Sequence, residues 1–408
     1  MTMANLPDAP WRHRPGLEAL CRLLGAEESA VRLVGGAVRD GLLGLDVNDI
    51  DLATRWAPQE VMDKLSAARI KVVPTGIAHG TVTAVLDHRP VEITTLRCDV
   101  STDGRRATIA YTDDWREDAA RRDFTINALY ANPLSGEIHD YFGGLDDLAG
   151  KRVRFIGDPE QRIAEDHLRI LRYFRFLARF GAFPPDTAAY EACKSNANSL
   201  MALSRERIAD ELVKLLALPD PSPVLHLMAE GGIFAPVLPE IDTAGVQRLD
   251  ALLQRERAAR LVRPPSPILR LAALLPPDQT TGEQVAARLK LSNKARKRIA
   301  AALAPPPLHD HPRELAYRLG TETALDQMLL GAAPMAEDMA ALESWELPEF
   351  PIGGRDIIAL GLPAGPNIAH LLKVVREQWI AEGFTGPERA HAIAEIQVAK
   401  LLRERQNS

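Results

Sequence analysis

The sequence predicts an α+β chain: a head built on a small mixed β-sheet, followed by an all-α remainder. Two observations carry this. Before residue 150, short apolar or alternating runs such as VRLV, NDIDLAT, GTVTAVLD and VEITTLR are separated by turn residues, the pattern of strands. From about residue 160 the strand signals fade, and apolar residues recur at helical spacing, as in IAEDHLRILRYFRFLARF.

The elements follow in order. Residues 31–34 (VRLV) read as a buried strand, and Gly35-Gly36 turns the chain into a helical AVRDGLLG. NDIDLAT reads as a strand of period two, and a helix is expected from Pro58 to Ala68. IKVVP, GTVTAVLD and VEITTLR are three further β-rich runs. Residues 98–118 are polar and nearly aperiodic, and read as a mobile loop. Beyond them, 204–217, 246–260, 284–303, 313–330 and 366–379 have helical spacing, punctuated by proline clusters. There is no internal repeat and no low-complexity tract.

At 408 residues the chain can hold two to four domains, with 46% hydrophobic and 25% charged residues, an ordinary globular balance. No apolar stretch is long enough to span a bilayer, and MTMANLPDAPWRHRPG lacks the apolar core of a signal peptide. Cys21, Cys98 and Cys193 are far apart with no CxxC spacing, which argues against a disulfide framework or a zinc site and for a reducing, cytoplasmic setting. The net charge of −6 means that any nucleic-acid site must be a local basic face on an acidic body.

Five segments carry candidate chemistry. Gly35, Gly36 and Arg39 stand where a strand opens a helix. Glycines let a phosphate approach the backbone, and an arginine adds a fork of donors; a plain tight turn also fits. Asp49 and Asp51 flank Ile50. On a strand, residues two apart share a face, and paired carboxylates repel unless a cation such as Mg²⁺ lies between them; two solvated loop aspartates also fit. Glu92 faces opposite Val91 and Ile93 and offers a third carboxylate, or is an exposed strand residue. In RRDFTINAL, Arg121 and Arg122 could close on a triphosphate or begin a core helix. In EDHLRILRYFRF, Asp166, Arg169, Arg172 and Arg175 recur every third residue, a drifting stripe on a helix, with Asp166 and Arg169 as close neighbours.

Together GGAVRD, DIDLAT, VEITTLR, RRDFTINAL and EDHLRILRYFRF, in this order, resemble the class II CCA-adding tRNA nucleotidyltransferases, within a superfamily that also holds bacterial poly(A) polymerases. SRERIADELVKLL, EGGIFAPVLPEI and GRDIIALGLPAGPNIAHLLKVVREQWIAEGF are similar to the family's neck, body and tail, so the resemblance spans roughly residues 30 to 400. It implies an N-terminal helical extension (1–29), a nucleotidyltransferase head (30–150), a neck with the nucleobase-selecting helix (151–218) and a helical body and tail that bind tRNA (219–408).

The resemblance also implies roles. Asp49 and Asp51 would hold two Mg²⁺ ions, assisted by Glu92, for in-line transfer of a nucleotide from CTP or ATP to a tRNA 3′ end. Gly35, Gly36, Arg39, Arg122, Arg172 and Arg175 would contact the nucleotide. Asp166 and Arg169 would act as a protein template, with Glu165 orienting Arg169. The chemistry agrees: cytosine and adenine both show an amine donor beside a ring-nitrogen acceptor, and guanine and uracil show the opposite order. The segment DGRRATIAYTDDW, shortened in CC-adding relatives, is present and favours full CCA addition. His309-Asp310-His311 reads as a loop rather than a phosphohydrolase site. Lys290 to Arg298, and Arg205 with Arg207, are candidate RNA-facing segments or solvated helix faces. The alternatives are a poly(A) polymerase, a partial CC- or A-adding enzyme, and a non-catalytic RNA-binding relative. Nothing in the sequence points to a membrane or to an obligate protein partner.

Overall fold

In a computed structural model the chain is described over residues 5–102, 107–259, 261–305, 311–331 and 336–406. It divides into two compact units, Met1–Pro239 and Glu240–Ser408. The first contains a seven-stranded mixed sheet, ordered β3-β4-β5-β2-β1-β8-β9. Its strands are β1 (Val31–Val34), β2 (Asp51–Thr54), β3 (Lys71–Gly76), β4 (Thr81–Leu86), β5 (Arg89–Thr95), β8 (Leu129–Ala131) and β9 (Ile138–Asp140). Only β2 and β5 run parallel, and they pair Asp51 opposite Glu92.

Alternation fixes which way these strands face. In β5, Val91, Ile93 and Thr95 are buried and Glu92 is exposed, as period two requires. β1 is buried throughout, as its apolar run predicts. Helices α1 (Leu17–Leu23), α2 (Gly36–Leu42), α3 (Pro58–Ala67), α4 (Trp115–Ala120) and α5 (Gly144–Ala149) accompany the sheet. Val34, Ala53, Leu96, Trp115 and Tyr130 meet in one buried cluster that ties the central strands to α4.

The same unit continues as α6 (Pro159–Glu165), α7 (Arg169–Phe180), α8 (Thr187–Ser195), α9 (Arg205–Leu216) and α10 (Ser222–Glu230). The second unit is helical among its described residues: α11 (Thr243–Ala259), α12 (Pro267–Leu274), α13 (Gln279–Arg288), α14 (Asn293–Leu303), α15 (Pro312–Leu319), α16 (Thr321–Leu330), α17 (Ala336–Glu343), α18 (Gly354–Ala359), α19 (Pro366–Ala381) and α20 (Pro387–Gln406).

Three expectations need correction, and one alternative falls. Residues 98–118 are not a plain loop: β6 (Arg97–Thr102) pairs antiparallel with β7 (Ala107–Tyr111), and α4 follows, capped by the Asp114 carboxylate. Residues 103–106 of that segment, and His309 and Asp310, lie outside the described residues. The helix expected from residue 160 onward is broken at Asp166, whose backbone is extended (φ −150°, ψ 105°) and whose Oδ1 accepts from the Leu168 N–H at 3.1 Å. An aspartate that can satisfy a backbone donor at a helix start competes with helix continuation, and apolar periodicity does not register this. The runs 284–303 and 313–330 each split into two helices, the first recapped by Ser292 and the second broken at Gly320 (φ +84°). RRDFTINAL opens no core helix: it forms one 3₁₀ turn, Thr125–Asn127, leading into β8.

Candidate active site

A cavity of about 920 Å³ opens between β2, β5, the start of α2 and the arginine face of α7. Its acidic end is set by the sheet. Asp51 begins β2, and Asp49 lies just ahead of the strand rather than within it. The pairing extends one residue ahead of the strand, to Ile50, whose carbonyl accepts from the Glu92 N–H at 3.1 Å. Ile50 is buried, and Asp49, Asp51 and Glu92 all line the cavity. Among the described residues none of these three carboxylates has a hydrogen-bond or ion-pair partner. Burial, and then the charge of Glu92, push the Asp51 carboxyl from its ordinary 3.8 up to about 6; Asp49 adds to this and Arg122 opposes it.

The basic residues of the cavity come from the segment just after α4, from α7 and α9, and from Arg39 and Arg97. The cavity wall carries seven arginines and one lysine against five carboxylates, an excess of positive charge suited to a triphosphate. Each arginine is held from behind. Arg122 donates Nε to the Tyr130 hydroxyl (3.1 Å) and Nη2 to Asp118 (3.1 Å). Arg172 binds Asp123 through Nε (2.8 Å) and Nη2 (2.5 Å), and Arg175 binds Glu211 at 2.6 Å. Asp118, almost fully buried, also receives Arg121 (2.7 Å) and the Tyr130 hydroxyl (2.6 Å). Burial raises its carboxyl, but Arg122 and Arg121 outweigh that and hold it at about 2.

The glycine turn is required here. Gly35 has φ +65° and ψ −121°, a conformation open to little but glycine, and it lies beside Arg122. Because α2 has only seven residues, the glycine turn offers close backbone approach more than a helix field. Arg39 lines the cavity but spends much of its fork on Asp40 (2.8 Å) and on Asn127, and its guanidinium lies 4.2 Å from the Phe180 ring.

Of the twelve residues expected at the site, Glu165 alone stays out of the wall. It sits behind, accepting from Arg169 (2.6 Å) and Arg162 (2.9 Å). Asp166 and Arg169 both line the cavity, but their side chains do not pair with each other: the Asp166 carboxylate binds Arg207 at 2.8 Å. The sequence reading missed Asp118, Asp123, Asn127, Glu211, Arg97 and Lys214. The spacing of Asp118 to Arg121 and Arg122 was a usable signal; the others depend on packing.

The residues present fit a divalent cation. The donors are all carboxylate oxygens, unpaired and crowded enough to raise Asp51. No group of three or more His, Cys, Asp or Glu side chains among the described residues is placed to hold a metal ion by itself.

Comparison with known proteins shows the family. The family pattern described as "Poly A polymerase head domain" matches residues 31–154, and "Probable RNA and SrmB- binding site of polymerase A" matches 182–244. The chain is 36% identical over 385 residues to the mitochondrial CCA tRNA nucleotidyltransferase 1 of Mus musculus, covering 90% of this chain and 87% of that one. This chain belongs to the CCA-adding tRNA nucleotidyltransferase family. The CCA-adding enzyme of Geobacillus stearothermophilus is 32% identical over 84% of this chain and 86% of its own length. The crystal structure of the Bacillus stearothermophilus CCA-adding enzyme in complex with CTP superposes with a TM-score of 0.71 at 28% identity, covering 98% of this chain and all of that one. The Thermotoga maritima CCA-adding enzyme complexed with tRNA shares the fold at 20% identity, with a TM-score of 0.70. The sheet-and-helix head and helical remainder are thus the family architecture, and no described helix is long and apolar enough to cross a membrane.

Proposed function

We propose that this chain adds C and A to the 3′ end of tRNA without a nucleic-acid template, releasing pyrophosphate from CTP and ATP. The observation that carries this is the shared cavity: unpaired carboxylates, Asp166 with Arg169, and a set of arginines line one wall.

Asp49 and Asp51 would hold Mg²⁺, with Glu92 alongside; when bound, the ions activate the primer hydroxyl and neutralise charge on the departing pyrophosphate. The chain's own groups do the rest. Arg122, Arg172 and Arg175, fixed by Asp118, Asp123 and Glu211, present donors to the triphosphate without reorganising. Arg169 has five N–H donors. Nη1 serves Arg162 O and Glu165, and Nη2 serves Arg121 O, so Nε–H and one Nη2–H remain for ring acceptors of the base. Asp166 keeps lone pairs for an exocyclic amine. Uracil or guanine would set like against like in that site. The three cysteines are free thiols, in keeping with a reducing aqueous compartment such as the cytoplasm.

The test is extension of a tRNA lacking its CCA end, with Mg²⁺ and with CTP and ATP separately and together. CCA should form only with both. Addition of A alone to any RNA would replace this reading by a poly(A) polymerase, and arrest at CC would make the enzyme a partial one. In the same assay Asp49→Ala should abolish transfer and keep tRNA binding.

A further inference from the structure

Arg207 has a partner within the fold. It lies in the first turn of α9, and its Nη2 donates to Asp166 Oδ2 at 2.8 Å across the α7–α9 packing. Asp166 stands on the extended residue between α6 and α7, with its other oxygen fixed by the Leu168 N–H. Three residues on, Arg169 carries the opposite charge. Left alone, such a pair would close on itself, because a carboxylate and a guanidinium make a strong two-point contact. Here the two side chains do not pair among the described residues; only the Arg169 backbone N–H meets the Asp166 carbonyl, at 3.0 Å. Arg169 is drawn back by Glu165, and Asp166 is drawn aside by Arg207.

We propose that Arg207 is a positioning residue for nucleotide selection: it holds Asp166 away from Arg169 and so keeps both open to the incoming base. The proposal rests on the reading of Asp166 and Arg169 as the base-selecting pair. A carboxylate offers about four lone-pair sites, of which Leu168 N–H and Arg207 take one each, leaving an acceptor on either oxygen. Arg207 thereby fixes the rotamer of Asp166 and offsets its charge without consuming the edge that an amine needs. Without Arg207, Asp166 is free to turn toward Arg169 or Arg172, whose charge it already feels. The donors of Arg169 would then be satisfied internally, and the distinction between C or A and U or G would fade.

The experiment compares Arg207→Ala, Arg207→Gln, Arg207→Lys, Asp166→Ala and the double variant Arg207→Ala/Asp166→Ala. Single-nucleotide addition to truncated tRNA gives kcat/KM for CTP against UTP and, on a tRNA ending in CC, for ATP against GTP. Thermal unfolding is followed in parallel. Arg207→Ala should reduce both preferences by about tenfold or more. Arg207→Lys should restore most of the loss, and the double variant should be no less selective than Asp166→Ala. If the alanine variant does not fold, Arg207→Gln, which keeps most of the side-chain stem but not the charge, carries the same expectation. Unchanged preferences in the Arg207 variants beside a collapse in Asp166→Ala would overturn the proposal. So would a loss that appears only as a raised KM for tRNA, equal for every nucleotide, which marks an RNA contact. Unchanged preferences in Asp166→Ala would remove the base-selecting pair itself, and the proposal with it.

Discussion

Replacing Asp51 by asparagine should make the protein more stable and inactive. The Asp51 carboxyl is pushed from 3.8 to about 6 by burial first, and by Glu92 and Asp49 next, with no hydrogen bond in compensation. Because its folded-state value lies above its unfolded value, the folded protein holds the proton longer, and the ionised form is the destabilising one. Stability from this residue is therefore greatest below about pH 4, falls as pH rises toward about 6, and stays lower above that. At about 1.4 kcal/mol per pH unit the gap corresponds to about 3 kcal/mol. Asparagine keeps the shape and removes the charge. In the absence of divalent ions Asp51→Asn should thus exceed wild type by about 2–3 kcal/mol at pH 8, with the difference vanishing near about pH 4. Saturating Mg²⁺ should narrow the difference by stabilising wild type alone. Since the chain has two compact units, hydrogen exchange at β2 and β5 is a better readout than a bulk melt. Transfer should drop about a thousandfold, equivalent to about 4 kcal/mol of lost transition-state stabilisation. An asparagine variant no more stable than wild type at alkaline pH would refute the view of these carboxylates as an uncompensated cation site.

Two further outcomes follow from the same geometry. Asp118→Ala should destabilise the first unit by about 3–5 kcal/mol at neutral pH, because it strands Arg121, Arg122 and the Tyr130 hydroxyl inside. Asp118 is held at about 2, below its ordinary value, so this stabilisation is present at neutral pH and lost only as pH falls toward about 2; a denaturation series from neutral to acid pH checks both points. Arg169→Ala should lower the preference for CTP over UTP by about tenfold or more with little change in stability; selectivity equal to wild type in steady-state competition would contradict its role as a base reader.

Much of the site was legible because its carriers are local. GGAVRD announces a turn that only glycine tolerates, and Gly35 has the required positive φ. The alternation in VEITTLR places Glu92 opposite its buried neighbours, and the strand confirms that face. The break at Asp166 was hidden because periodicity reports which residues are apolar, not whether a side chain will satisfy a backbone donor. The strands at 97–111 were hidden because a polar hairpin lacks the apolar alternation that marks a half-buried strand.

Sequence by itself determined the division into a sheet-bearing head and a helical remainder, the family motifs and the residue types that meet at the cavity, because periodicity, turn chemistry and motif spacing are properties of neighbours along the chain. Tertiary structure alone decided the partners. Asp51 meets Glu92 through parallel pairing of β2 with β5, Asp123 meets Arg172, and Asp166 turns to Arg207 rather than to Arg169, three residues away. An ion pair is chosen by distance and burial after packing, and a charge carries no mark in the sequence of which opposite charge the fold will bring within reach.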